Sequence, residues 1–198
     1  MYSKLRIDQV LNEAIMGLSK KKMLLGDFEV LYELSKGKEI IVELGTSRGF
    51  GAMIMSLHGA EVYTIDNYQV FDDAHSTTVL GREDSEEIRT VIARYLSLFG
   101  NITQIYGATL EVAKNHFEPE PVDLLYIDAD HSYESTQENF FAWYPKVKKG
   151  GFILIHDYSN KHPGVKKFVD GIVDFNEIEE IVIPTLGQTV IKIFRKKL

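Results

Sequence analysis

The 198 residues carry 22 basic and 29 acidic side chains, a formal net charge of −7, with 44% hydrophobic and 26% charged residues. This balance is that of a soluble globular chain, and its negative field repels a phosphate backbone, so neither nucleic acid nor a membrane is an expected partner. The chain has no cysteine, which excludes disulfides, thiolate zinc sites and cysteine nucleophiles and leaves oxygen ligands and histidine for any metal.

In chain order, Ile7, Val10, Leu11, Ala14, Ile15 and Leu18 recur at helical spacing, and a second helix is expected from Asp27, with Phe28, Leu31, Tyr32 and Leu34 on one face. The opening residues mix charges with apolar side chains and lack the continuous apolar core of a secretory signal, so the expected location is cytoplasmic. Strands are predicted over residues 40–44, 61–66, 102–106, 122–128 and 151–156, with helices over 49–58, 85–99, 109–116 and 133–144 between them. Pro163 with Val165, Phe168, Val169, Ile172 and Val173 marks a further helix, its proline suited to the first turn. Two strand-like runs follow, EEIVIPT and QTVIKIFRK, which should pair antiparallel at the end of the sheet.

This order predicts one α/β domain over 1–198, with N-terminal helices over 1–38 and a Rossmann-like core over 39–198. The core is expected to be a three-layer sandwich whose seven-stranded, mostly parallel sheet closes with a C-terminal antiparallel strand. Residues 67–84 form a polar insertion, long for a βα connection, that reads either as an acceptor-contacting lid or as plain surface. A homo-oligomer is compatible with the sequence and is not required by it.

VELGTSRGFG follows the first parallel strand and opens a helix, so backbone N–H groups face whatever lies at the carboxyl edge of the sheet. A dinucleotide fingerprint places a glycine where this chain has Ser47, so close packing of a pyrophosphate is disfavoured. The spacing of Glu43, Gly45 and Gly49 instead suits a cofactor without phosphate and with a cationic amino-acid end. Asp66 ends the second strand in YTIDN, roughly 20 residues beyond the first glycine, where an acid can accept both ribose hydroxyls of a nucleoside.

With VELGTSRG, YTIDN, IYGATLEVA, LLYIDADHSYE and GGFILIHDY in that order, the chain resembles the class I S-adenosylmethionine-dependent methyltransferases from about residue 39 onward. Within them it is similar to the small-molecule O-methyltransferases of the catechol and macrolide-sugar types, some of which use magnesium. The resemblance implies that the turn of Glu43, Gly45, Thr46, Ser47 and Gly49 holds the methionine end of the cofactor, that Asp66 holds the ribose and that Asn67 borders the adenine. Many relatives have an acid at the exit of the third strand, where this chain has Ala108; Thr109, Leu110 or a backbone group is left to take the base, and Thr109 as a plain helix N-cap is the alternative reading.

Asp128 ends the fourth strand beside the cofactor and Asp157 ends the next, so the two carboxylates should converge. Paired oxygen ligands of this kind fit magnesium or a similar hard ion. His131, three residues beyond Asp128, is placed to take a proton from a small-molecule hydroxyl, making His131 and Asp128 the expected catalytic pair. Catechol-type relatives add an asparagine after the later aspartate, where this chain has Tyr158, leaving His156 or Asn160 to complete an ion site or His131 to act alone. His156 itself reads first as a hydrogen-bonded core histidine. Asp130 and Ser132 are natural helix-start residues, with Ser132 the better N-cap. Tyr133, Phe140, Phe141, Trp143 and Tyr144 read as core with a partly exposed edge, and His58, His75, His116 and His162 as surface or loop residues.

The leading expectation is therefore a methyltransferase acting on a small-molecule hydroxyl. Its alternatives are an NAD(P)-dependent oxidoreductase on a Rossmann fold and a non-catalytic nucleoside-binding module.

Overall fold

The structure is a computed structural model that describes residues 24–68 and 85–198. The expected first helix and most of the polar insertion, including Asp72, Asp73 and His75, lie outside these residues. Helix α1 (Leu25–Leu34) precedes β1 (Ile40–Leu44), α2 (Phe50–Ser56), β2 (Glu61–Asp66), α3 (Ser85–Leu96), β3 (Ile102–Tyr106), α4 (Thr109–His116) and β4 (Val122–Ile127). Then come α5 (Tyr133–Trp143), a 3-10 turn (Tyr144–Lys146), β5 (Val147–Ile155), α6 (Pro163–Ile172), β6 (Ile178–Ile181) and β7 (Lys192–Lys196).

The seven strands form one sheet in the order β3-β2-β1-β4-β5-β7-β6. All pairings among β1 to β5 are parallel, and β7 lies between β5 and β6, antiparallel to both. Because β1 pairs with β2 on one side and β4 on the other, strand order reverses at β1, and in such sheets the crevice at that reversal is where ligands bind. Register decides which residues meet there. Leu44 lies opposite Ile65 and Ile127, and Ile127 lies opposite Ile155, so Gly45, Asp66, Asp128 and His156 leave the sheet side by side.

Alternation along the strands feeds two cores. Val42, Leu44, Leu125, Ile127, Ile153 and Ile155 face Phe140, Trp143, Phe168 and Val169 of α5 and α6. Ile41, Leu124, Tyr126 and Leu154 face Val30, Leu31, Ile54, Met55 and Leu96 of α1, α2 and α3. Since both faces are covered, the central strands read as continuous apolar runs, and each fully buried aliphatic or aromatic side chain contributes about 1.5–3 kcal/mol. Of the aromatic series, Phe140 and Trp143 are fully buried while Phe141 is 48% exposed, as a core with a wet edge requires.

Several ends differ from expectation for identifiable reasons. Strand β5 starts at Val147 because Lys148, whose charge masks the strand in the sequence, pairs with Asp123 at 3.1 Å. Helix α2 is shorter than 49–58 because Gly49, at φ 78°, is its N-cap. Helix α5 gives way to a 3-10 turn at Pro145, which has no N–H for a helical bond. Residues 188–190 do not extend β7 because they bind α1 instead: Gly26 N–H donates to Gln188 O at 3.1 Å and Val190 N–H to an Asp27 carboxylate oxygen at 2.9 Å. A methyl group on Gly26 would come within 2.5 Å of Gln188 O, so only glycine permits this approach. Among the described residues, no helix is long and apolar enough to cross a membrane.

Candidate active site

The turn after β1 is held by backbone conformations that side chains resist. Gly45 has φ 98°, and a Cβ there would lie 2.0 Å from Asp128 O, so glycine is what lets β1 and β4 exit in contact. Ser47 also has a positive φ, 45°, and turns its N–H toward Asp66 Oδ2 at 2.9 Å; Tyr68 N–H donates to Asp66 Oδ1 at 2.7 Å. Burial raises the Asp66 pKa, and the charge of Asp128 adds to this, against the pull of its N–H donors. Gly107 N–H donates to Asp66 O at 3.1 Å, bringing the β3 exit and Ala108 to the same edge.

Beneath this turn lies Glu43, 2% exposed, on the strand face that packs against α2. Thr64 Oγ1 donates to its Oε2 at 2.5 Å and lies 2.7 Å from Thr46 Oγ1. A Cβ at Gly51 would fall 2.0 Å from Glu43 Oε1, so that glycine makes the acid's socket. Burial, reinforced by Asp128 and Asp66, pushes the Glu43 pKa up to about 8.

At the neighbouring strand ends, His156 Nδ1 is 3.0 Å from Asp128 Oδ1 and 3.3 Å from Asp157 Oδ2, and its Nε2 is 3.3 Å from Asp27 Oδ2. His131 Nε2 meets Asp157 Oδ2 at 2.8 Å, and His162 Nε2 lies 3.5 Å from Asp157 Oδ1. The rings of His131 and His162 are 4.3 Å apart. Asp157 takes a left-handed φ of 59°, a strained choice for a residue with a side chain, and such strain concentrates at functional sites. Burial alone would lower the His131 pKa, but the hydrogen bond to Asp157 and the charges of Asp157 and Asp128 outweigh it, so the pKa rises above the ordinary histidine value. The Asp157 carboxyl, despite its burial, is held well below the usual range by His131 and His156.

A turn of backbone donors, an acid at the second strand end and a histidine–carboxylate group at the fourth and fifth thus share one edge of the sheet. The family model described as a methyltransferase domain matches residues 42–158, the span that contains all three. The chain belongs to this methyltransferase family. Solved structures share its fold: a candidate caffeoyl-CoA O-methyltransferase of Staphylococcus aureus superposes with a TM-score of 0.67 at 15% identity, covering 98% of this chain and 93% of that one. The O-methyltransferase of Bacillus cereus in complex with S-adenosylhomocysteine gives 0.64 at 16% identity over 100% and 93%. TomG of Streptomyces achromogenes, an O-methyltransferase of tomaymycin synthesis solved with S-adenosylmethionine, gives 0.64 at 12% over 100% and 91%. An uncharacterized protein of Acanthamoeba polyphaga mimivirus is 37% identical over 60 residues, and that match spans 27% of this chain and 27% of the viral protein.

In this methyltransferase, the turn residues Glu43, Gly45, Thr46, Ser47 and Gly49 and the acids Asp66 and Asp128 are brought together, with Asn67 directly after Asp66. Thr109 is not directed there: its hydroxyl donates to Asn139 Oδ1 at 2.6 Å and its carbonyl accepts from Trp143 Nε1 at 3.1 Å, tying α4 to α5. Nor is it the helix N-cap, which is Ala108. Ser132 is the N-cap of α5, accepting from Ser135 N–H at 3.1 Å, and donates to Asp130 Oδ2 at 2.7 Å, so Asp130 serves the helix start.

Two residues of the site, His162 and Asp27, were not anticipated in their places, and His156 takes the second of its two expected readings. His162 is not a surface histidine: its side chain is 16% exposed and faces Asp157. His156 is more than a core histidine, since it touches three carboxylates. Asp27, 1% exposed, reaches the site from α1 across 129 positions of sequence, and no local pattern announces it. Tyr158, by contrast, turns away and donates to Asp170 Oδ1 at 2.8 Å, while Asn160 is exposed.

The donor set fits a dication. Asp128, His156 and Asp157 offer one ligand atom each, all within 4.8 Å of one another, as do His131, Asp157 and His162. His156 Nδ1 is buried without an aligned hydrogen-bond partner, the kind of orphan that an ion would satisfy.

Proposed function

We propose that this methyltransferase binds S-adenosylmethionine at the β1–β2–β4 edge and transfers its methyl group to a hydroxyl oxygen of a small molecule, aided by a divalent cation at Asp128 and Asp157. The observation that carries the reading is the register that sets Gly45, Asp66 and Asp128 side by side at the strand reversal. Two acids there, Asp66 and Asp128, make a field that suits a ligand bearing a sulfonium and an ammonium and repels a pyrophosphate, which weighs against the nicotinamide alternative. In support of a small acceptor stand the chain's formal charge of −7, which disfavours nucleic acid, and the O-methyltransferase descriptions of the superposed structures.

Bound S-adenosylmethionine supplies a methyl group on a positively charged sulfur, and a bound dication supplies Lewis acidity that lowers the pKa of an acceptor hydroxyl. The protein's own part is to hold and to deprotonate. Asp66, fixed by Ser47 and Tyr68 N–H groups, keeps lone pairs for the ribose hydroxyls, and the turn at Gly45, Thr46 and Ser47 offers backbone groups to the amino-acid end. Asp157 engages His131 Nε2, which leaves Nδ1 as the atom that takes the hydroxyl proton. With the hydroxyl proton held on His131, the acceptor oxygen would be free to take the methyl group that the bound cofactor would supply, the cofactor leaving as a neutral thioether.

The test is calorimetric titration with S-adenosylmethionine and S-adenosylhomocysteine, with NAD(H) as the comparison, followed by a screen of hydroxyl compounds for methyl transfer. Wild type should bind both adenosyl ligands, and Asp66→Ala should lose at least tenfold in affinity with its melting temperature little changed. Tight NAD(H) binding with no response to S-adenosylmethionine overturns the reading, and cofactor binding with no methyl transfer to any acceptor reduces it to a binding module.

A further inference from the structure

Buried Asp27, the orphaned Nδ1 of His156 and the outward turn of Tyr158 play no part in the transfer just described, and they meet at one point. Asp27 Oδ1 accepts from Thr189 Oγ1 at 2.7 Å and from Val190 N–H at 2.9 Å, while Oδ2 faces His156 Nε2 at 3.3 Å. A carboxylate only accepts, so this contact places a proton on Nε2 and leaves Nδ1 as the ring atom turned toward the other two carboxylates. Nδ1 points into a corner with Asp128 Oδ1 at 3.0 Å and Asp157 Oδ2 at 3.3 Å. Nothing there is aligned to accept a proton from Nδ1. Three such atoms this close are held together by a positive charge between them, a proton on Nδ1 or a metal ion that takes the proton's place. Two ligands bonded to one ion at about 2.1 Å and at right-angle to tetrahedral spacing sit about 3.0–3.4 Å apart, which matches both distances.

We propose that Asp128, His156 and Asp157 bind a first-row transition-metal dication in preference to magnesium, with Asp27 as the outer carboxylate that orients His156. The inference rests on the functional reading above for what the ion does and changes that reading's expected metal. Magnesium favours all-oxygen surroundings, and the oxygen ligand that a residue following Asp157 could have supplied is absent because Tyr158 faces Asp170. An imidazole nitrogen in its stead shifts preference along the series toward cobalt, nickel and zinc. A carboxylate on the far ring nitrogen is the usual device for fixing the tautomer and orientation of a metal-binding histidine.

Protein stripped by chelator dialysis is titrated with cobalt(II), following the visible d–d absorption of the bound ion. A one-to-one complex is expected, displaced by stoichiometric zinc and retained in a hundredfold excess of magnesium. His156→Ala should abolish the complex. Asp27→Asn keeps an acceptor for Thr189 and Val190 but presents an amide donor to Nε2, which moves the ring proton to Nδ1, so cobalt affinity should fall about 10- to 100-fold. Absence of a one-to-one complex in wild type, displacement by equimolar magnesium, or unchanged affinity in folded His156→Ala overturns the proposal; the wild-type selectivity decides it even if a variant fails to fold. Calorimetry with S-adenosylmethionine on the same stripped sample separates the two ideas. Cofactor binding without cobalt sinks the ion site alone, and cobalt binding without cofactor upholds the ion site and sinks the methyltransferase reading.

Discussion

Glu43→Gln should stabilise this protein, and by an amount that depends on pH. In the unfolded chain Glu43 ionises near its ordinary value of 4.5, whereas in the fold burial between α2 and the sheet holds the proton to about pH 8. The sign follows from proton counting. Below pH 4.5 both states are protonated and the group is neutral toward stability; between 4.5 and 8 the unfolded state alone ionises, so rising pH favours unfolding; above 8 the effect saturates. At about 1.4 kcal/mol per unit of pKa difference, the penalty reaches about 3 kcal/mol at pH 7, good to the order of magnitude. Glutamine matches the protonated acid: its carbonyl accepts from Ala52 N–H, its amide donates to Thr64 Oγ1, and the Thr64 hydroxyl turns to Thr46. For a chain of this length the gain corresponds to roughly 6–12 °C in melting temperature. Thermal melts of wild type and variant from pH 4 to 9 provide the assay. The curves should coincide at the acid end and diverge steadily toward neutrality, and a separation independent of pH refutes the buried, protonated glutamic acid.

Two further predictions concern neighbouring groups. The His131 imidazole should titrate above its ordinary value of 6.5, because Asp157 stabilises its charged form, and its NMR midpoint should fall in Asp157→Asn; an equal or higher midpoint in the variant removes Asp157 as the cause. Gly45→Ala should cost at least about 3 kcal/mol in denaturant unfolding, since it combines a left-handed backbone with a methyl group 2.0 Å from Asp128 O, and a cost under 1 kcal/mol means the two strand ends do not touch.

The strands were legible where apolar runs were pure. Residues 40–44, 61–66 and 102–106 carry no charge that disguises them internally except Glu43, and their ends coincide with β1, β2 and β3. Legibility failed where a charged residue has a tertiary partner, as with Lys148 and Asp123 at the start of β5, or where chain that looks like strand is claimed by a distant helix, as with residues 188–190. The glycine turn, Asp66, Asp128, His131 and Asp157 could be named because each follows directly from a strand end. Asp27 could not: a first-turn acid in an amphipathic helix reads as ordinary helix chemistry, and its burial depends on Thr189 and Val190. His162 was hidden for a related reason, standing before a helix-initiating proline where an exposed residue is the norm, until Asp157 draws it inward.

The docking of α1 against residues 188–190 has a consequence for how this molecule is put together. Asp27 and its Oδ1 donors, Thr189 and Val190, are separated by 162 and 163 positions of sequence. The half of the cleft built from β1 and β2 makes no use of residues 188–190, but the histidine corner is complete only once that segment has docked on α1. Changes on either side of this junction should therefore be felt first at His156, far from the altered residue in sequence.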